Sequence, residues 1–229
     1  MEFFETVKTR RSIRKYTQTP VPCEVIQKAL DAALLAPNSS NLQTWEFYWV
    51  RSKEKKDQLV KACLSQSAAR TAQELIVVVA NPSLWKKTNP EMIKFTTQIK
   101  APRLVLTYYK KLVPLTYGLA WLGPVKQAFY AIIGLFRPMP RGPVSARDLE
   151  EVSIKSAALA SENFMLAVTA QGYATCPMEG LDEQRVKKLL NLSRGSRVVM
   201  AISVGEADPE RGTWGPQVRF NRDWFVKEI

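Results

Sequence analysis

Between positions 23 and 36 the apolar residues Val25, Ile26, Ala29, Leu30, Ala33 and Leu34 recur every third or fourth place. That spacing lays one face of a helix against a core. Pro37 ends the pattern, and Asn38-Ser39-Ser40-Asn41 reads as a loop by composition. A shorter amphipathic helix is expected over residues 2–9, separated from the first by Pro20-Val21-Pro22. Residues 46–51 (EFYWVR) predict a strand, and 53–65 a charged helix. The run LIVVVA at 75–80 has no polar break, as expected of a central strand buried on both faces. Small and apolar residues then predict a long helix over 148–171, with Gly172 as its C′ stop. Asp182 can N-cap a short helix to about 191, and RVVMAISVG at 197–205 predicts another buried strand. The tail, 217–229, is polar and aromatic, too apolar for simple fray. Strands separated by helices make this α+β with a central sheet, and no internal repeat interrupts the order.

Composition narrows the chemistry. With 229 residues, 46% of them hydrophobic, the chain can bury one substantial core, so a single domain over 1–229 is expected. It contains no histidine. Histidine-activated nucleophiles, histidine metal ligands and histidine proton shuttles are therefore excluded. An enzyme built this way would leave its chemistry to a bound cofactor, with no catalytic side chain and no metal. Cys23, Cys63 and Cys176 are odd in number and widely spaced, without a CxxC pair. Neither a disulfide framework nor a zinc site is expected, and a reducing cytosol fits best. Met1-Glu2-Phe3-Phe4-Glu5 has none of the features of a signal peptide.

The net charge of +12 is unevenly spread. Residues 86–142 carry ten lysines and arginines against Glu91 alone, which leaves only +3 for the remainder. Basicity is thus a property of one segment, and it matches no nucleic-acid-binding module.

Four short stretches carry candidate chemistry. TRRSIRKYT at 9–17 sets Arg10, Arg11 and Arg14 beside Ser12, with no acidic residue between Glu5 and Glu24. The stretch is either a solvated basic turn or an anion site, because guanidinium forks with a short hydroxyl suit a phosphate. APNSSNLQTWEF at 36–47 offers the amides of Asn41 and Gln43 ahead of Trp45. Cys176-Pro177-Met178-Glu179-Gly180 forms a turn whose glycine lets the backbone approach a flat group. Trp214-Gly215-Pro216-Gln217-Val218-Arg219-Phe220 adds one more arginine near the C-terminus.

In this order and spacing, the four stretches resemble the FMN-dependent nitroreductase family over most of the chain outside the basic segment. The resemblance implies a central mixed sheet flanked by helices, with FMN held at a homodimer interface. Arg10, Arg11, Ser12 and Arg14, helped by Arg219, would bind the FMN phosphate and ribityl hydroxyls. Ser39, Asn41 and Gln43 would reach the flavin from the partner subunit. Arg70 would supply a cation near flavin N1 and O2, the alternative being a surface helix charge. Pro177, Met178, Glu179 and Gly180 would line one isoalloxazine face. Two departures stand out: Thr44 replaces a usual proline, expected to loosen its loop, and Gln217 stands where lysine is common. The implied activity is NAD(P)H oxidation through FMN, by a ping-pong cycle, with an apolar nitroaromatic, quinone or activated alkene as acceptor. The competing class is a non-catalytic flavin- or membrane-surface-binding protein that kept the fold.

Residues 86–147 form an insert that the resemblance reads as a lid. Within it, 112–125 and 127–136 are charge-free runs divided by Lys126, and Pro114, Gly118, Gly123 and Pro124 are expected to interrupt any helix. Neither run reaches the roughly 20 apolar residues of a membrane span. Three readings stand. The insert is a lid packed on its own subunit or its mate, or an interfacial element on an anionic membrane surface, or a direct binder of an anionic apolar substrate. In the second, Lys110, Lys111, Lys126, Arg137 and Arg141 meet headgroups while Tyr108, Trp121, Phe129 and Phe136 dip inward, placing the protein at the inner face of a membrane.

Overall fold

The computed structural model describes residues 1–229. The chain opens with α1 (Phe3–Thr9) and α2 (Cys23–Leu34). Then come β1 (Trp45–Val50), α3 (Lys53–Ala62), α4 (Ser67–Thr71) and β2 (Glu74–Ala80). The insert follows as α5 (Trp85–Gln98), α6 (Arg103–Thr107), α7 (Val113–Gly118) and α8 (Gly123–Ile133). The long α9 (Ala146–Ala170), β3 (Ala174–Met178), α10 (Glu183–Leu190) and β4 (Arg197–Gly205) complete the body.

The four strands lie in the order β1-β2-β4-β3, and every pairing is antiparallel. The parallel character expected of a mixed sheet is confined to one bridge, between Ser12 and Thr175 on the outer side of β3. Central β2 is buried on both faces, as its unbroken apolar run requires. Ile76, Val78 and Ala80 meet α2 and α9 through Ile26, Ala29, Phe164 and Val168. Leu75, Val77 and Val79 meet α3, α4 and α10 through Leu59, Ala62, Ala68 and Val186. Alternation of side chains along a strand is what serves both layers at once.

Several boundaries differ from the sequence expectation, α2 ending at Leu34 rather than 36 and β1 running 45–50 rather than 46–51 among them, and four further departures have an evident physical reason. Residues 176–178 of the turn expected at 176–180 are the end of β3, although Pro177 discourages a strand. The strand's position at the sheet edge tolerates a residue with no N–H. α3 stops at Ala62 rather than 65, since Leu64 and Ser65 take left-handed backbone angles (φ 57° and 52°). α9 begins at 146 because Ser145 and Asp148 form a reciprocal cap. The Asp148 carboxylate accepts from Val144 N at 2.8 Å and Ser145 N at 3.0 Å, which holds its pKa below the usual carboxylate range. Pro114 does not break the insert. It sits at the second position of α7, and a widened π-type turn over Tyr108–Leu112 precedes it. No helix of the chain is long and apolar enough to cross a membrane.

The three thiols divide cleanly by burial: Cys23 is exposed, Cys63 and Cys176 are buried. Burial pushes the Cys63 thiol up to about 11 from an ordinary 9.0. A thiol whose folded pKa is raised stabilises fully below its unfolded value and loses that contribution as pH climbs through the folded one. Ellman's reagent should therefore titrate Cys23 alone in the native protein at neutral pH, and all three thiols after denaturation. Between about pH 9 and 11, denaturant midpoints should fall, and they should fall less for Cys63→Ala relative to its own neutral value.

Candidate functional site

The arginine stretch is fixed by its backbone. Ile13 N donates to Thr175 O at 2.9 Å, and Arg14 N to Gly212 O at 2.8 Å. Asp208 N donates to Lys15 O at 3.0 Å, and Thr17 N to Glu206 O at 2.9 Å. Residues 12–17 are thus stitched between β3 and the segment that leaves β4. Tyr16 drives the pin home: its ring is buried, and its hydroxyl meets Ser203 Oγ at 2.8 Å and Ser203 O at 3.2 Å. Gly205 makes this fit possible, because a Cβ there would stand 2.8 Å from the Tyr16 ring. Burial keeps the Tyr16 phenol neutral, its pKa raised far above the ordinary value.

With the backbone fixed, the side chains project into an open cleft of about 500 Å³. Arg10, Arg11, Ser12 and Arg14 form one wall, and residues 214–219 form the other. Arg11 donates to Gly215 O at 2.6 Å, and the Arg14 guanidinium lies 4.5 Å over the Trp214 ring. Arg219 donates to Val218 O at 2.8 Å. Gln217, oriented to satisfy both its partners, donates to Lys8 O at 3.1 Å and accepts from Arg219 at 2.7 Å. Only one carboxylate touches the four guanidiniums, Glu162 at 3.8 Å from Arg10. A concave site holding four such cations, one of them paired, fits a phosphate-bearing group and no cation. Behind the wall, Cys176 is raised in pKa by burial, and Arg14, Ser12 and Arg10 oppose the shift.

Two more of the expected pieces share the same side of the sheet. Ile13, Tyr16, Ala68, Ala69, Cys176 and Met178 belong to one apolar cluster. Pro177 and Met178 end β3, opposite Ile202 and Ala201, and Glu179 and Gly180 are exposed beyond it. Gly180 O accepts from Gln66 Nε2 at 2.7 Å, and Asp182 N donates to Ala62 O at 2.8 Å, so α3 and α4 hold this turn. Arg70 lies exposed in the last turn of α4 and forms no ion pair. Its neighbour Thr71 accepts from Tyr16 N at 3.1 Å, so α4 touches both the arginine stretch and the Gly180 turn.

Ser39, Asn41 and Gln43 are not brought to this cleft. They lie exposed on the turn between α2 and β1, against the insert. Ser40, Asn41 and Gln43 all take left-handed angles (φ 58°, 50° and 47°), an uncommon state for residues with a Cβ. Gln43 N donates to Asn38 Oδ1 at 2.8 Å, the Tyr109 hydroxyl to Ser40 O at 3.1 Å, and the Ser40 and Tyr108 hydroxyls pair. Buried Thr44, whose carbonyl accepts from Asn81 N at 2.9 Å, is a fixed point of the turn and not a loosened one. A second cavity of about 400 Å³ lies here, walled by Ser39, Tyr108, Tyr117, Tyr130 and Met139 among others. Sequence reasoning named Trp214 and Gly215 but gave them no role. Their signal was a Trp-Gly-Pro sequence beside an arginine-rich start, and it has meaning only once the two are adjacent.

An antiparallel α+β sheet protein with a cationic cleft at one sheet edge is the class these observations define. The chain belongs to the nitroreductase family, whose model matches residues 7–206. Protein DrgA of Synechocystis sp. is 27% identical over 207 residues, covering 90% of this chain and 84% of that protein. Among solved structures, a protein of Exiguobacterium sibiricum in complex with FMN shares the fold with a TM-score of 0.73 at 24% identity, covering 100% of this chain and 98% of its own. The NADPH:FMN oxidoreductase of Vibrio harveyi complexed with NAD+ superimposes with a TM-score of 0.66 at 20% identity, covering 99% of this chain and 76% of its own.

Tyr16→Phe removes one hydroxyl from a buried pair and should cost about 1–2 kcal/mol. The urea midpoint should drop with an unchanged slope, since the surface exposed on unfolding stays the same.

Proposed function

We propose that this chain is an FMN-dependent oxidoreductase that takes electrons from NAD(P)H and passes them to a small apolar acceptor, of the nitroaromatic, quinone or activated-alkene type. The observation that carries the reading is the cleft in which Arg10, Arg11, Ser12, Arg14 and Arg219 converge with a single carboxylate contact. Those residues bind the FMN phosphate and ribityl hydroxyls. Pro177, Met178, Glu179 and Gly180 line one flavin face, and Arg70 places an unpaired positive charge toward the electron-rich edge of the ring. FMN held there would supply the redox chemistry of a ping-pong cycle between NAD(P)H and the acceptor. No side chain acts as nucleophile or proton shuttle, in keeping with a chain that lacks histidine.

We read the working unit as a homodimer. Ser39, Asn41 and Gln43 then complete the site of the other subunit, and the insert, 86–147, closes over it as a lid. Support comes from apolar side chains exposed just after α2, on α9 and on the tail, Leu35 at 84%, Leu159 at 50% and Trp224 at 66%. Their exposure suits an interface between copies.

The first test is the visible spectrum of purified protein, with identification of flavin released on denaturation. Bound FMN that NADH or NADPH bleaches without oxygen is expected. Colourless protein that refuses added FMN overturns the assignment, and bound flavin that neither nicotinamide reduces overturns the enzymatic part of it. Arg11→Ala with Arg14→Ala should weaken FMN binding about 10–100-fold, the loss of one or two charge-assisted contacts. Arginine stays charged at every working pH, while a phosphate monoester loses its second charge below about pH 6. FMN affinity should accordingly fall as pH drops through about 6 and stay level above it.

A subunit-mixing experiment tests the dimer. Asn41→Ala and the double arginine variant should each be impaired alone. Refolded together, they should regain up to about a quarter of wild-type turnover, because hybrid dimers hold one intact site of two. No recovery would place the Ser39–Gln43 turn outside the partner's site.

A further inference from the structure

The insert has two faces with opposite character. Its inner face is committed: Tyr109, Val113 and Tyr117 are buried against Leu42 and Leu149, and Asn89 Nδ2 donates to Tyr109 O at 3.1 Å. Its outer face is not. Trp121, Val125, Phe129, Ile132 and Phe136 are exposed by 74%, 65%, 58%, 61% and 85%. Their steps of four, four, three and four residues put them in a single stripe along α8 and its flanks. Leu112 and Leu115, also exposed, widen the apolar ground on α7 and the turn before it. Lys126 ties the two strips together through Thr116 O at 3.3 Å.

Around this ground cations predominate, the nearest carboxylates being Asp148 and Glu151, which line a cleft with Arg141. Lys110, Lys111, Arg137 and Arg141 are exposed, and none of the ten basic residues between 86 and 142 forms an ion pair. We propose that this face docks on an anionic phospholipid surface, with the α8 stripe entering the acyl boundary and the flanking cations meeting headgroup phosphates. Charge complementarity selects this occupant. A second copy presenting the same face would bring two segments of +9 together, which repels. A nucleic acid would lay phosphates over a centre of Phe, Ile and Val whose only donor is the single indole N–H of Trp121. A lipid interface matches both parts, apolar below and anionic above. Docking is in the plane and not across it, because α8 has 11 residues and no helix of the chain can span. The proposal is independent of the flavin assignment.

The test is co-sedimentation of the 229-residue chain with phosphatidylcholine vesicles, with and without phosphatidylserine, at low and high salt. Binding to the phosphatidylserine vesicles at low salt is expected, weakened about tenfold or more by high salt or by omitting the anionic lipid. Phe129→Ser with Ile132→Ser, both on the exposed stripe, should lower binding about tenfold. Its thermal midpoint and its oligomeric mass should not change. Arg11→Ala with Arg14→Ala serves as control and should bind vesicles like wild type, which separates the insert from the arginine cleft. Three results would overturn the proposal. They are failure to bind anionic vesicles at low salt, binding unaltered by the stripe variant, and a change of oligomeric mass in that variant, which would make the stripe an interface between copies.

Discussion

Three guanidiniums within five residues repel, so the geometry of Arg10, Arg11 and Arg14 has to be enforced from outside their own side chains. The enforcing interaction is the backbone stitching of residues 12–17 to β3 and to 205–212, sealed by buried Tyr16 over Gly205. Hydrogen bonds of this kind contribute about 1 kcal/mol each net, and several of them along one short segment outweigh repulsion between solvated charges a few ångströms apart. The rest of the cleft depends on that outcome. Only because the arginines are held can Gly215 O and the Trp214 ring close on Arg11 and Arg14 from the far end of the chain. A dianion entering the cleft would meet cations already gathered, the cost of gathering them having been met by folding.

The same principle governs the turn at 38–43. Three residues with a Cβ in left-handed conformations would not stay so unaided. Tyr108 and Tyr109, from the insert, hold the Ser40 hydroxyl and carbonyl, and Thr44 anchors the other end. The insert is therefore structural for this turn through its inner face, whatever its outer face meets. Anything that shifts α7 or the widened turn before it will be felt at Ser39 and Asn41.

Much of the body was legible in the sequence. The apolar run of β2, the span of β4 and the periodic face of α2 follow directly from patterning, because each buries residues at its own fixed period. β3 was not legible. ATCPM has a proline where a ladder donor belongs, and only its place at the sheet edge makes that harmless. The persistence of helix through Pro114 was hidden for a similar reason: a π-type turn is a local concession that no periodicity announces. At the site, the residue types left a solvated basic turn and an anion site both open. What the sequence could not show was adjacency. Arg11 and Gly215 are 204 positions apart, and Gln66 and Gly180 are 114 apart. Those contacts exist because the β2-β4-β3 order brings distant loops to one edge.

The distribution of charge gives the molecule two cationic surfaces with different physics. In the cleft, arginines are concave, few and set against polar backbone and an aromatic ring, so they can desolvate one compact dianion and bind it with defined geometry. On the insert, exposed lysines and arginines are scattered along a segment that also exposes an apolar stripe, with no cleft gathering them around one anion. Screening acts accordingly. Salt at about 0.15 M shortens the reach of exposed charges to about 8 Å, which dissolves an attraction made of scattered surface charges and spares one made of close contacts. Net charge alone would treat the two as one property of a basic protein. Their different spacing and surroundings are the ground for proposing a small anionic ligand for the first and an extended surface for the second.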